Sequence, residues 1–140
     1  MMTTPFEFTA SSGRDAPGEE FLLEVPAGIQ SKGELLEALA RAGQFPEYFG
    51  GNWDALLDCL RDFGWVREKQ IVIVHSDVPL YANPVDCRIY LETLREAAND
   101  WTRTAGRSEV ATDATAFPDH VLRVLFPDSE RSTVSDMLTS

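Results

Sequence analysis

Residues 45–60, FPEYFGGNWDALLDCL, are predicted to form an irregular loop that leads into a short helix. Gly50 and Gly51 permit a sharp bend in the loop, because glycine adopts positive φ angles without steric cost. Asn52 is a favoured N-cap residue, since its side chain can accept hydrogen bonds from the free N–H groups of a first turn. We therefore predict a helix that begins after Asn52 and ends near residues 63–64.

This predicted helix has an apolar face and an acidic face. Its apolar residues have the i, i+3, i+4, i+7 spacing of one buried face: Trp53, Leu56, Leu57 and Leu60. Trp53 is therefore expected in the core. Asp54, Asp58 and Asp62, called the acidic face below, follow at successive i, i+4 positions.

Like charges at this spacing destabilise a helix by roughly 0.2–0.5 kcal/mol per pair. Asp54 is favoured by its place in the first turn, but Asp58 is not. The acidic face is thus either a solvated surface of an acidic protein or a rigid pair of carboxylates that binds a cationic partner.

The same stretch, as it stands in this sequence, resembles the signature of the barstar family, whose founding member is the intracellular inhibitor of the ribonuclease barnase. A weaker similarity extends over residues 21–126. In that family the loop and the following helix fill the substrate cleft of the nuclease. The resemblance implies a small α/β fold and a function in inhibition rather than catalysis.

The resemblance also implies which residues meet the enzyme. The matched positions in the loop and helix are Tyr48, Asn52, Asp54 and Asp58. Asp58 would be the central anion in the phosphate site of the nuclease. Trp65 and Glu96 resemble further contacts, although an insertion precedes Trp65. Leu57 departs from the family pattern, since barstar has Trp at this place.

Composition points to a basic protein as the partner. The chain has 140 residues and a net charge of −11, from 23 acidic and 12 basic side chains. Nucleic acid and anionic membranes require a basic surface, so this balance argues against both. It favours attraction to basic proteins. The N-terminus lacks the features of a secretory signal, and no apolar stretch is long enough to span a membrane, so we expect a cytoplasmic protein.

Strands and helices alternate along the rest of the chain. Short apolar runs predict buried strands at 21–25, 70–75 and 121–126. Helices are predicted over 31–42, where Ser31 and Glu34 have capping-box spacing and Gly43 is a suitable terminator, and from Asn83-Pro84 onwards. This order predicts an α/β fold with a small three-stranded parallel sheet covered by helices.

The predicted domain covers residues 21–126. Residues 1–20 are predicted to be an N-terminal extension, although Phe6 and Phe8 alternate as in an edge strand. Residues 104–119 are predicted to form an exposed loop, and residues 127–140 a polar C-terminal tail.

A hydrolase is the main enzymatic alternative. His75 lies at the end of a predicted strand, and Asp77 follows two residues later, so the pair could act as a general base and its orienting carboxylate. No nucleophile motif or glycine-rich phosphate loop accompanies them. A hydrogen-bonded surface histidine is therefore the preferred interpretation of His75.

We predict neither a metal nor a cofactor. Carboxylates along one helix face diverge, whereas a hard cation needs ligands that converge. Cys59 and Cys87 have no zinc-ligand spacing. We expect both to be reduced thiols, although the sequence does not rule out a disulfide between them.

The sequence therefore favours a barstar-like, immunity-type inhibitor of a basic ribonuclease, or of another basic protein. The second hypothesis is a protein-interaction module that inhibits no nuclease.

Overall fold

The computed structural model describes residues 6–9, 20–45, 51–63, 65–66, 68, 70–105 and 121–139. Among these residues, no helix is long and apolar enough to cross a membrane. The elements, in chain order, are β1 (Phe6–Thr9), β2 (Glu20–Val25), α1 (Lys32–Gly43), α2 (Trp53–Asp62), β3 (Gln70–His75), α3 (Pro84–Ala105), β4 (Val121–Pro127), a 3₁₀ helix (Asp128–Glu130) and α4 (Arg131–Thr139).

The strands form one parallel sheet in the order β1-β4-β3-β2. Parallel neighbours need long connections, and α1 and α2 provide the one between β2 and β3 while α3 provides the one between β3 and β4. The predicted α/β fold with a parallel sheet is confirmed, and β3 is an interior strand as its apolar sequence indicated. The sheet has four strands instead of the three predicted, because residues 6–9 join it.

A single core lies between one face of the sheet and the helices. Alternate residues of a strand point to the same face, so each strand contributes every second side chain. Buried core residues come from each of the strands β1–β4 and the helices α1–α4: Phe6, Leu23, Val25, Leu35, Leu39, Leu56, Leu60, Ile71, Ile73, Tyr90, Leu94, Leu122, Val124, Phe126 and Val134. The helices are therefore fixed against the sheet by their apolar faces.

The caps of α1 show how the sequence sets its ends. The hydroxyl of Ser31 accepts a hydrogen bond from Glu34 N–H at 3.2 Å, as the capping-box spacing predicted. At the other end the left-handed residue is Gln44, with φ 54°, and not Gly43. Gly43 is needed for space, since a Cβ there would lie 2.6 Å from Cε1 of Phe45.

The short edge strand β1 is held by aromatic and ionic contacts. Phe6 and Phe8 pack against Phe126, with ring centroids 5.5 and 6.3 Å apart. On the opposite face of the sheet, Arg123 of β4 forms two hydrogen bonds of 2.8 Å with the carboxylate of Glu7 and one of 3.2 Å with Glu20 of β2. These contacts explain why a segment of only four residues joins the sheet.

The prediction of a polar tail after residue 126 is wrong for the described residues there. Pro127 completes β4, and the 3₁₀ helix and α4 follow. Val134, Met137 and Leu138 have i, i+3, i+4 spacing; Val134 is buried in the core, and the other two pack against it. The predicted loop lies outside the described residues over 106–119, and its first two residues end α3.

We expect Arg123→Ala to destabilise the fold by about 1–3 kcal/mol, the usual cost of losing hydrogen bonds to charged groups that are partly buried. The matched control is Arg41→Ala, which breaks the exposed Arg41–Glu37 pair and should cost less than about 0.5 kcal/mol. Urea unfolding measures both. Equal losses in the two variants would contradict a structural role for the Arg123 contacts.

Candidate functional site

The N-terminus of α2 is fixed by Gly51 and Asn52. Gly51 has φ +72°, the conformation that its sequence position predicted. Asn52 is the N-cap, and its Oδ1 accepts a hydrogen bond of 2.7 Å from Ala55 N–H. The helix ends where Phe63 N–H donates to the Cys59 carbonyl at 3.2 Å. Both predicted ends of α2 are thus confirmed, and Gly50 lies outside the described residues.

The apolar side of α2 is buried against the core. Leu56 and Leu60 are fully buried, as predicted. Trp53 is half-buried, with its ring centroid 6.3 Å from that of Tyr90 in α3, and the ammonium of Lys32 lies 5.5 Å from the Trp53 ring. These contacts set the rotation of the helix about its axis.

The acidic face of α2 is therefore directed to solvent. Asp54, Asp58 and Asp62 are all exposed. Neither Asp54 nor Asp58 has an ion-pair partner among the residues that the structure describes. No cation of the described residues relieves their mutual repulsion, so two exposed carboxylates can bind an external cation.

Three arginines of α2 and α3 pair with carboxylates of α3. Arg61 of α2 forms an ion pair with Asp100 of α3, with Nε 2.9 Å from Oδ2. Arg88 and Arg95 of α3 both lie against Glu92, at 3.4 and 3.9 Å. Glu96 is exposed and has no ion-pair partner in the described part of the chain. It lines an open groove on α3 with Glu92, Arg95 and Asn99.

Trp65 has an internal structural role. Its indole Nε1–H donates to the Gly43 carbonyl at 2.8 Å. Its ring packs on those of Phe45 and Phe63, with centroids 5.9 and 5.6 Å away. The only polar atom of its side chain is thus bonded within the chain, and a contact of Trp65 with a partner stays a prediction. Tyr48 lies outside the described residues.

His75 is buried, contrary to the surface position that we preferred, and it forms no pair with Asp77. It is 3% exposed, and its ring stacks on Phe126 at a centroid distance of 4.1 Å. A carbonyl can only accept, so Nδ1–H donates to Leu125 O at 2.9 Å, and Nε2 of the neutral ring accepts from the Tyr90 hydroxyl at 2.7 Å. Asp77 instead accepts from Gly28 N–H at 3.1 Å. The geometry gives no support to a hydrolytic His75–Asp77 dyad.

Both cysteines are free thiols and both are buried. Burial, together with the smaller effect of the nearby charges of Asp62 and Asp58, raises the pKa of Cys59 to about 11. Burial likewise raises the pKa of Cys87 to about 11. These thiols therefore stay protonated and unreactive at neutral pH. No cluster of three or more potential metal ligands occurs among the described residues.

Sequence reasoning missed the pairing of Arg61 with Asp100. In the sequence Arg61 stands three residues after Asp58, a spacing at which the two would be expected to pair on a helix. Asp100 comes close enough to Arg61 to replace Asp58 as its partner only because α2 packs on α3.

The fold and the site together define a class of small α/β proteins with an exposed acidic helix. A family model described as Barstar (barnase inhibitor) matches residues 22–115, which is more than half of the chain. The chain therefore belongs to the barstar family, as the sequence resemblance indicated. No curated protein and no solved structure matches it.

We expect Asn52→Ala to destabilise the protein by about 1 kcal/mol, the usual cost of removing an N-cap. Asn52→Asp is the matched control, since a carboxylate can accept the same Ala55 N–H bond and favours the helix dipole. Urea unfolding compares the two. The cap would be unimportant if both variants were as stable as the parent.

Stability should also fall as His75 protonates. Burial lowers the pKa of His75 from 6.5 to about 4, an effect only partly opposed by its bond to the Leu125 carbonyl. His75 of the unfolded chain therefore binds its proton at a higher pH than His75 of the folded chain. The contribution of neutral His75 to the free energy of unfolding is complete above pH 6.5 and is lost as pH falls towards 4. The shift corresponds to roughly 3 kcal/mol.

His75→Gln keeps a polar group that does not titrate, and is the control for this effect. Unfolding in urea at pH 7 and at a pH near 4.5 should show that the parent loses more stability than the variant. An equal loss in both proteins would show that protonation of His75 is not responsible.

Proposed function

We propose that this protein inhibits a basic ribonuclease by placing the acidic face of α2, and the loop before it, in the substrate cleft of the enzyme. The proposed contacts are those that the family resemblance assigned: Tyr48, Asn52, Asp54, Asp58, Trp65 and Glu96. The inhibitor acts by binding and not by catalysis. We expect it to act in the cytoplasm, without a cofactor.

The main support is the state of Asp54 and Asp58. Both carboxylates are exposed and lack an internal cation among the described residues, on a helix whose other side is buried. In an enzyme's phosphate site, Arg and Lys side chains would bind these carboxylates through charge-assisted hydrogen bonds. Carboxylates on a helix thus replace the phosphate oxygens of RNA.

The rigidity of α2 also supports this function. The Asn52 cap, the buried Leu56 and Leu60, and the Trp53–Tyr90 contact hold the helix before any partner arrives. Because little conformational freedom remains to be lost, the ordering cost of association is small. The net charge of −11 would speed encounter with a basic enzyme at low salt.

We expect Asp58→Ala to weaken inhibition by at least about 2 kcal/mol, or roughly thirtyfold in Kd, as for a central interface residue. The folded state should lose little stability, because the change removes like-charge repulsion on α2. The measurement is a titration of inhibition against basic ribonucleases, including barnase, at low and high salt.

The matched control is Glu24→Ala, which removes another exposed carboxylate, from strand β2. It should change Kd by less than about threefold, because a charge outside the contact acts only through the long-range field. Equal affinity of Asp58→Ala and the parent would refute the role of Asp58. A parent that inhibits no nuclease but binds another basic protein would favour an interaction module.

A further inference from the structure

Arg61 lies beside the acidic face but is held away from it. Arg61 follows Asp58 by three residues, which places the two on neighbouring positions of the helix surface. Its Nε nevertheless lies 2.9 Å from Oδ2 of Asp100 in α3, and the two form an ion pair. The guanidinium is therefore paired with a carboxylate of another helix, while Asp58 has no ion-pair partner among the described residues.

The environment favours Asp100 over Asp58 as the partner. The side chain of Asp100 is 15% exposed and that of Arg61 is 47% exposed, whereas Asp58 is exposed. A partly buried ion pair is screened by water and salt less than one on an open helix surface. Arg61 thus contributes to stabilising a partly buried charge on α3.

A second bond fixes the distance between the two helices at this point. Trp101 follows Asp100, and its indole Nε1–H donates to the carbonyl of Leu60, which precedes Arg61, at 2.7 Å. Two successive residues of α3 therefore bind two successive residues of α2. This arrangement keeps Asp100 within reach of Arg61 without any movement of the backbone.

We propose that Asp100 is a positioning residue that keeps Arg61 from neutralising Asp58, and so maintains the negative charge that the partner's cations recognise. The proposal rests on the proposed function only for its effect on binding. Without Asp100, the nearest carboxylate one turn away on α2 would be that of Asp58. Arg61 would then compete with the cations of the enzyme for Asp58.

The first test uses the free protein and needs no partner. NMR of the Arg61 Nε–H group reports which carboxylate it binds. In the parent, Asp100→Ala should shift this resonance and Asp58→Ala should leave it nearly unchanged. In the Asp100→Ala background, adding Asp58→Ala should shift it again. An Arg61 signal that never responds to Asp58 would overturn the proposal.

The second test measures the rate of association, at low salt, with a ribonuclease that the parent protein inhibits. Asp100→Ala should slow association by about threefold to tenfold. In an Arg61→Ala background, Asp100→Ala should change the association rate by less than about twofold, because the guanidinium that could turn to Asp58 is absent. Equal effects in both backgrounds would show that Asp100 acts only through its own charge, and would overturn the proposal.

The control for net charge is Asp128→Ala, which breaks the exposed Asp128–Arg131 pair near the C-terminus. It removes one carboxylate, as Asp100→Ala does, and should alter association by less than about twofold. If the parent binds no nuclease, the proposed function fails, and the NMR comparison alone decides whether Asp100 holds Arg61 away from Asp58.

Discussion

Burial of one side of α2 determines what the other side presents. Burying the side chains of Leu56 and Leu60 is favourable, and both lie in the core formed by the sheet and the helices. With 3.6 residues per turn, Asp54 and Asp58 are then directed outwards, whatever their mutual repulsion. The electrostatics of the surface thus follows from the packing of the core, and the repulsion is a local cost that an external cation can relieve.

Much of the fold could be predicted from local patterns. The apolar runs of β2, β3 and β4 and the caps of α1 and α2 are signals within a few residues, so their positions were predicted closely. β1 and α4 were not. A four-residue strand and a helix with three apolar residues carry weak local signals, and their places depend on distant contacts such as Phe6 with Phe126.

The candidate site was predictable in part, for a related reason. Exposure of Asp54 and Asp58 followed from helical periodicity. The burial of His75 between Phe126 and Tyr90 did not, because a histidine at a strand end has no sequence signal for the two residues that enclose it. Likewise, the internal hydrogen bond of Trp65 depends on Gly43, 22 positions earlier. The proposed role of Tyr48 rests on family resemblance.

The pairing of β1 with β4 constrains the order in which the chain can be completed. Glu7 and Arg123 are 116 positions apart, and the register of β1 involves residues 124–127 alone. During synthesis, β1 therefore has no neighbouring strand until β4 has also left the ribosome. Because closing so long a loop is slow, we expect β2, β3 and β4 to pair before β1 joins the sheet.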